Sequence, residues 1–293
     1  MKKRYVSILF TVLILFISHS AMAQDAPAVP DSLDGWDYSW TFGINGSQAA
    51  YSNWSQGGVN TIAATGNSNF QALYKKDRFS YVFQFETRFG QTRTDGQGVR
   101  KTDDRLAVSN RFLYDLSEDH EEFKLFANIN FRTQFAKGYD YEAGPNDEDV
   151  LISDFMAPGY FVQNAGVAYV PTPNFSAEAG FGLLQTIVND ESLSTQYGLA
   201  EGDTFRNEAG ISLAAAYSMT LADNLSWSSS VETFTNVNKA VSSTDVFFLN
   251  ELTGKINSFM NASLRLDLVY DDDFSDEIQV AQVLSLGVSF ILI

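Results

Sequence analysis

Cysteine is missing altogether from the 293 residues. That excludes disulfides, thiolate metal sites and a lipid attached through a cysteine. Histidine is almost missing: His19 and His120 are the only two. A hydrolase that activates serine through histidine, or a His-based metal centre, therefore lacks its residues, and no enzymatic role is expected. Proline is scarce, at six residues, while 45% of the chain is hydrophobic, a balance that disordered chains do not have. Basic residues are outnumbered, 19 Lys and Arg against 36 Asp and Glu. So acidic a chain repels phosphate backbones, which excludes nucleic acid as a partner. Beyond the first 23 residues, no apolar run reaches the roughly 18–20 residues of a membrane-spanning helix.

Those first residues have the form of a secretory leader. Lys2, Lys3 and Arg4 precede an apolar core from Ile8 to Ile17, broken by Thr11, and Ala21-Met22-Ala23 is a small-x-small cleavage site. The expected organisation is a signal peptide (1–23), a periplasmic N-terminal segment (24–35) and one domain (36–293).

What fills that domain is alternation. In "VLSLGVSFILI" (283–293), Leu284, Leu286, Val288, Phe290 and Leu292 fall on one side, and Ser285, Gly287 and Ser289 on the other. In 79–89, Phe79, Tyr81, Phe83, Phe85 and Phe89 oppose Ser80, Gln84, Glu86 and Arg88. Period two means a strand with one apolar and one polar face. The pattern predicts about twelve strands: 36–50, 58–74, 78–91, 101–116, 121–137, 157–170, 174–188, 205–220, 224–239, 245–259, 262–270 and 277–293. The sixth is the least regular, because "YFVQNAGVAYV" has apolar residues on both faces. Connections alternate between short turns, such as "KKDR" and "LADN", and longer polar stretches, notably 91–100, 138–156 and 188–204. Even strand number with short turns on one rim and long loops on the other is the outer-membrane barrel pattern.

Alternation alone does not say which face meets water. Lipid outside is favoured by a polar face rich in Gly, Ser, Asn and Gln, and by aromatics at both ends of the apolar face. Trp36, Tyr74, Phe79, Tyr114, Phe123, Tyr169, Phe175 and Tyr217 cluster on the short-turn side, and Tyr51, Trp54, Phe135 and Tyr270 on the other. The fold class is thus all-β, a transmembrane antiparallel barrel of about 12 strands after a cleaved signal peptide. Its last strand must pair with "WDYSWTFGING" (36–46), since no sheet edge can stay open in lipid. The expected location is the outer membrane, with both termini in the periplasm.

Three stretches carry a family resemblance: "YSNWSQGGVN" (51–60), "VRKTDDRLAVSNRFLYDL" (99–116) and "NFRTQFAKGYDY" (130–141). With the alternating remainder, the chain resembles the bacterial outer-membrane proteins of domain-of-unknown-function family thirty seventy-eight, over most of its length. The resemblance implies a barrel. It transfers no catalytic residue, the family having no established activity.

The functional candidates are polar side chains on the inner face. Pairing the third and fourth strands so that Phe85 meets Leu106 and Phe79 meets Phe112 sets Glu86 opposite Arg105 and Arg88 opposite Asp103. The next hairpin sets Asp115 opposite Lys124 and Ala107 beside Arg132. The expected lumen cluster is Glu86, Arg88, Asp103, Arg105, Arg111, Lys124 and Arg132, with Arg206, Glu208, Glu232, Glu251, Lys255, Arg265 and Asp267 extending it. Such a cluster is either a charged constriction that selects permeants or a neutralised plug. Trp54, Gly57 and Gly58 belong to the first extracellular loop, as a latch or a ligand contact. Two acidic loops contain weak calcium candidates, Asp147 and Asp149 in one, Asp271 and Asp273 in the other, although neither has a defined calcium-loop spacing; no other cofactor is expected. Outer-membrane lipids, lipopolysaccharide and the barrel-assembly machinery are the expected partners, with other outer-membrane proteins as further candidates. Two functions follow: a narrow pore for small solutes, or a closed barrel serving as accessory subunit of an outer-membrane assembly.

Overall fold

Strands with one oily face, strung in succession, hide all their backbone polar groups only by closing on themselves. The computed structural model of the chain, which describes residues 29–50, 59–117, 121–271 and 275–292, has that closure. The expected signal peptide, Tyr51, Trp54, Gly57, Gly58, His120 and Asp273 lie outside the described residues. In chain order come β1 (Gly35–Ala49), β2 (Thr61–Lys76), β3 (Phe79–Thr94), β4 (Gly98–Asp115) and β5 (Phe123–Thr133). A small hairpin of β6 (Gly138–Asp140) and β7 (Val150–Ser153) follows. The wall resumes with β8 (Gly159–Thr172), β9 (Phe175–Ile187), β10 (Phe205–Ala222), β11 (Leu225–Asn236), β12 (Asp245–Lys255), β13 (Met260–Asp271) and β14 (Ser275–Ile291). Twelve of these strands, all but β6 and β7, form one closed antiparallel barrel, each paired with its neighbour along the chain.

The two ends of the chain make the seam. β14 pairs with β1 from Thr41↔Ile291 to Asn45↔Gly287, and the Leu292 N–H donates to the Trp40 carbonyl at 2.7 Å. The turns beside the termini are short, at 77–78, 173–174 and 223–224. The longest connections, 134–158 and 188–204, lie at the opposite rim.

The fifth strand stops at Thr133, short of the expected 137, and the expected loop at 138–156 contains the β6–β7 hairpin. A buried carboxylate accounts for the break. Asp104 accepts the N–H groups of Phe135 (3.1 Å) and Ala136 (2.8 Å), taking over bonds that the ladder would otherwise supply. Lys101 Nζ donates to Asp104 (3.0 Å), to Gln134 (2.9 Å) and to the Ala136 carbonyl (2.7 Å), so the bend is tied on both sides.

The outer surface is apolar. Leu284 is 79% exposed, and Ile44, Leu125, Phe181, Leu213 and Leu286 are likewise open. Nothing in water rewards such a surface, whereas lipid does. At the terminal rim Trp36 packs on Tyr74 (4.8 Å between rings), Tyr74 on Phe79 (6.2 Å) and Phe123 on Tyr169 (5.0 Å). Phe89 and Phe135 pair at 5.3 Å at the other rim.

The seam depends on a missing side chain. A Cβ on Gly287 would collide with the Asn45 side chain and sit 3.3 Å from the Ile44 carbonyl, whereas one on Gly254 in β12 would meet only ordinary contacts at 3.7 Å and beyond. Gly287→Ala is expected to destabilise the barrel by about 1–3 kcal/mol, with Gly254→Ala near the parent. Urea unfolding in lipid vesicles, followed by heat-modifiable gel mobility, distinguishes the two.

Candidate functional site

Because side chains alternate, the same pairing that turns Phe83 and Phe85 outward turns their neighbours into the lumen. Glu86 and Arg88 of β3, Asp103, Arg105 and Arg111 of β4, and Lys124 and Arg132 of β5 all lie on this inner face. Asp115 pairs directly with Lys124, and Ala107 with Arg132. The third and fourth strands are set differently from the expectation. Phe85 meets Val108, not Leu106; Phe79 meets Tyr114, not Phe112; and Arg88 stands directly opposite Arg105. An irregularity between Gly90 and Gln91, where Asp103 and Lys101 are the successive partners, puts an extra residue into β4 and shifts the register.

Two arginines face to face repel, and the carboxylates relieve it diagonally. Arg105 Nε reaches Glu86 at 3.0 Å, Arg88 Nε reaches Asp103 at 2.6 Å, and Glu86 also lies 3.8 Å from Arg88. The expected ion pairs therefore form from a different register, because long side chains span the diagonal of an antiparallel ladder. Elsewhere on the inner face, Arg265 grips Asp267 (2.8 Å), and Arg206 holds Glu208 (3.1 Å), which also accepts from Asn236 (2.8 Å). Arg132 lies 4.7 Å over the Tyr160 ring.

Several lining residues have no local signal in the sequence. Arg111 bonds to Glu178, sixty-seven positions along the chain. Phe234 and Phe247 point inward and are buried, at positions where alternation predicts polar residues, and they join Phe126, which the alternation of 123–135 already turns inward. The irregular strand, β8, carries Tyr160 and Val162 inward for a related reason: both are buried near the rim where long connections pack. There Ala157, Val188, Leu193, Tyr197 and Leu199 form an apolar cluster with Leu151 against it. Tyr197 donates to the Ile152 carbonyl (2.6 Å), and its burial raises the phenol above its ordinary range. Arg206 ties this layer to the lumen wall by donating to the Gly198 carbonyl at 2.8 Å.

Toward the terminal rim the lumen widens into a cavity of about 940 Å³. Pro30, Asp31, Lys75, Glu121, Glu122 and Pro173 line its mouth; Arg111, Asn128, Asn164, Glu178, Glu232, Phe234 and Phe247 line its depth. The N-terminal segment is latched at this mouth. Lys75 Nζ donates to Asp31 at 2.7 Å, and that hydrogen bond holds the Asp31 carboxyl below its usual range.

Among the described residues, no group of three His, Cys, Asp or Glu is placed to hold a metal. Asp147 is exposed, and Asp149 accepts the Glu142 N–H at 3.1 Å. Asp271 belongs to β13 rather than to a loop; it is buried and pairs with Ser275, because β14 begins earlier than the alternation implies.

Residues 47–139 match the family model described as "Protein of unknown function (DUF3078)". That span holds the first two motifs of the resemblance and all but two residues of the third, and it is shorter than the resemblance suggested. No curated protein matches the chain. Among solved structures, an outer membrane channel from Pseudomonas putida F1 aligns with a TM-score of 0.46 at 12% identity, over 93% of this chain and 99% of that one. The NanC porin aligns with a TM-score of 0.42 at 7% identity, over 86% and 98%. The translocator domain of the autotransporter NalP from Neisseria meningitidis aligns with a TM-score of 0.38 at 13% identity, over 89% and 90%.

Two outcomes follow from these contacts. Glu86→Ala leaves Arg88 and Arg105 opposed with their shared carboxylate gone, and is expected to destabilise the folded barrel by about 3 kcal/mol. Restoration of at least part of that loss in Glu86→Ala/Arg105→Ala, in urea titrations, checks the pairing. The Asp31–Lys75 latch belongs to a carboxyl with a lowered pKa, so it holds above the usual carboxylate range and is lost as pH falls through the folded value. A fluorophore on Ser32→Cys should gain mobility on acidification, and Asp31→Asn should show that mobility at neutral pH.

Proposed function

We propose that the chain is an outer-membrane β-barrel with both termini in the periplasm, and that its lumen is a narrow pore for small solutes. The exposed apolar wall and the aromatic rings at both rims support the membrane setting. Short turns beside the termini and long connections opposite support the orientation, as in bacterial barrels of this class. The observation that carries the pore reading is the lumen itself. Charged residues on the inner face are paired with one another, and a cavity of about 940 Å³ leads inward from the terminal rim. Rings of paired charge at a constriction pass small polar solutes while rejecting larger ones. In this reading no residue acts as a catalyst. Lipopolysaccharide surrounds the outer rim, and the barrel-assembly machinery inserts the chain.

A second reading is favoured by the inward phenyl rings of Phe126 and Phe234 and by the buried cluster at the far rim. They fit a closed barrel that works through its surface as an accessory subunit of an outer-membrane assembly. Single-channel recording in planar bilayers separates the two. A pore gives reproducible conductance steps, and Arg105→Glu and Arg132→Glu shift its ion selectivity toward cations. Silence from protein that keeps heat-modifiable mobility contradicts the pore and supports the closed barrel.

A further inference from the structure

We infer that the depth of the terminal-side cavity is a binding site for a small uncharged polyhydroxylated molecule, of the size of a mono- or disaccharide. Its core is a row of ladder partners on the inner face: Arg111, Asn128, Asn164, Gly182 and Gly210, on β4, β5, β8, β9 and β10 in turn. The middle of this row is two amides side by side. Their Oδ1 atoms are buried and have no hydrogen-bond partner among the described residues. Buried polar atoms left this way require water or a ligand to complete them. A ligand hydroxyl both donates and accepts, so it can serve either end of an amide.

The glycines of the row make room for an apolar floor. A Cβ on Gly210 would lie 2.6 Å from Cε2 of Phe234, and one on Gly182 would lie 3.6 Å from it. The Phe234 ring therefore occupies the space over these two backbones, beside Asn164, and Phe247 lines the same depth. On the other flank, Phe126 lies against Gly180, where a Cβ would come within 3.0 Å of its Cζ. Arg111 reaches over Phe126, 6.0 Å from the ring, to its bond with Glu178. Phenyl faces next to planar amides and a guanidinium suit a molecule with C–H faces and a rim of hydroxyls.

Charge decides between ligand classes. Arg111 is held by Glu178 and Lys124 by Asp115, so an anion would have to displace an existing partner in a partly desolvated site. An uncharged ligand keeps both pairs and uses the hydrogen-bonding capacity they leave over. A cavity of about 940 Å³ is ample for a disaccharide, since small-molecule sites run from about 300 to 1,000 Å³. This inference deepens the pore reading, from which it takes its biological sense, while the binding itself needs no conduction.

The test is calorimetric titration of the refolded full chain in lauryldimethylamine oxide micelles with maltose, and with glucuronate and lysine as charged probes. Maltose is expected to bind, and the two charged probes to bind about tenfold more weakly. Asn164→Leu and Asn128→Ala, each verified as folded by heat-modifiable mobility, should weaken maltose by about tenfold. No maltose heat, an affinity unchanged in both variants, or tighter binding of a charged probe would each overturn the site. Because binding is read in micelles and conduction in bilayers, a silent barrel that binds maltose refutes the pore and spares the site. A conducting barrel that ignores maltose does the reverse.

Discussion

Every backbone N–H and C=O in a membrane wall has to find its partner within the wall, because lipid offers none. In this chain the demand is met by a ring of twelve strands whose first and last members bond to each other. The alternating sequence follows from it. Once the ring is closed in lipid, odd and even positions face different solvents, and one face becomes Leu, Val and Phe while the other becomes Asn, Ser, Arg and Glu. The ion pairs of the lumen, the aromatic rims and the apolar exterior are consequences of that division.

Inside the ring, charge and volume are managed separately. Opposite charges neutralise one another across neighbouring strands, as Arg105 with Glu86 and Arg88 with Asp103, or across a wider arc, as Arg111 with Glu178. Volume is handled by glycine: where Phe126 and Phe234 turn inward, Gly180 and Gly210 give up the space their rings need. The terminal-side half of the lumen keeps a cavity, while the opposite rim is layered by an apolar cluster that the wall holds through Arg206. The two ends of the barrel are thus built differently.

The architecture was legible because it rests on period two, which is a property of the sequence. Strand number, the pairing of 283–293 with 36–46 and the inward set of charged residues all come from that one signal. Register between β3 and β4 was not legible, since the turn closes with Thr94 opposite Gly98, one residue further along than the alternation suggests, and the irregularity at Gly90 adds a second residue that no alternation announces. The end of β5 was hidden for a similar reason: Asp104 looks like one acid among many in "KTDDR" until it is seen capping Phe135 and Ala136. Glu178 and the phenyl floor were missed because their partners are far away in sequence. Inward aromatics violate the pattern, and only a neighbouring glycine, itself a common barrel residue, marks the place.

The lipid-facing exterior and wet interior are tested most directly by single-cysteine labelling, which the absence of native cysteine makes clean. In protein reconstituted into vesicles, a membrane-impermeant maleimide should react with Cys at the inward positions Ser109 and Asn128. It should spare the outward positions Val108 and Ala127, one residue away in each strand. Equal labelling of neighbouring positions, or the opposite alternation, would contradict a barrel with lipid outside.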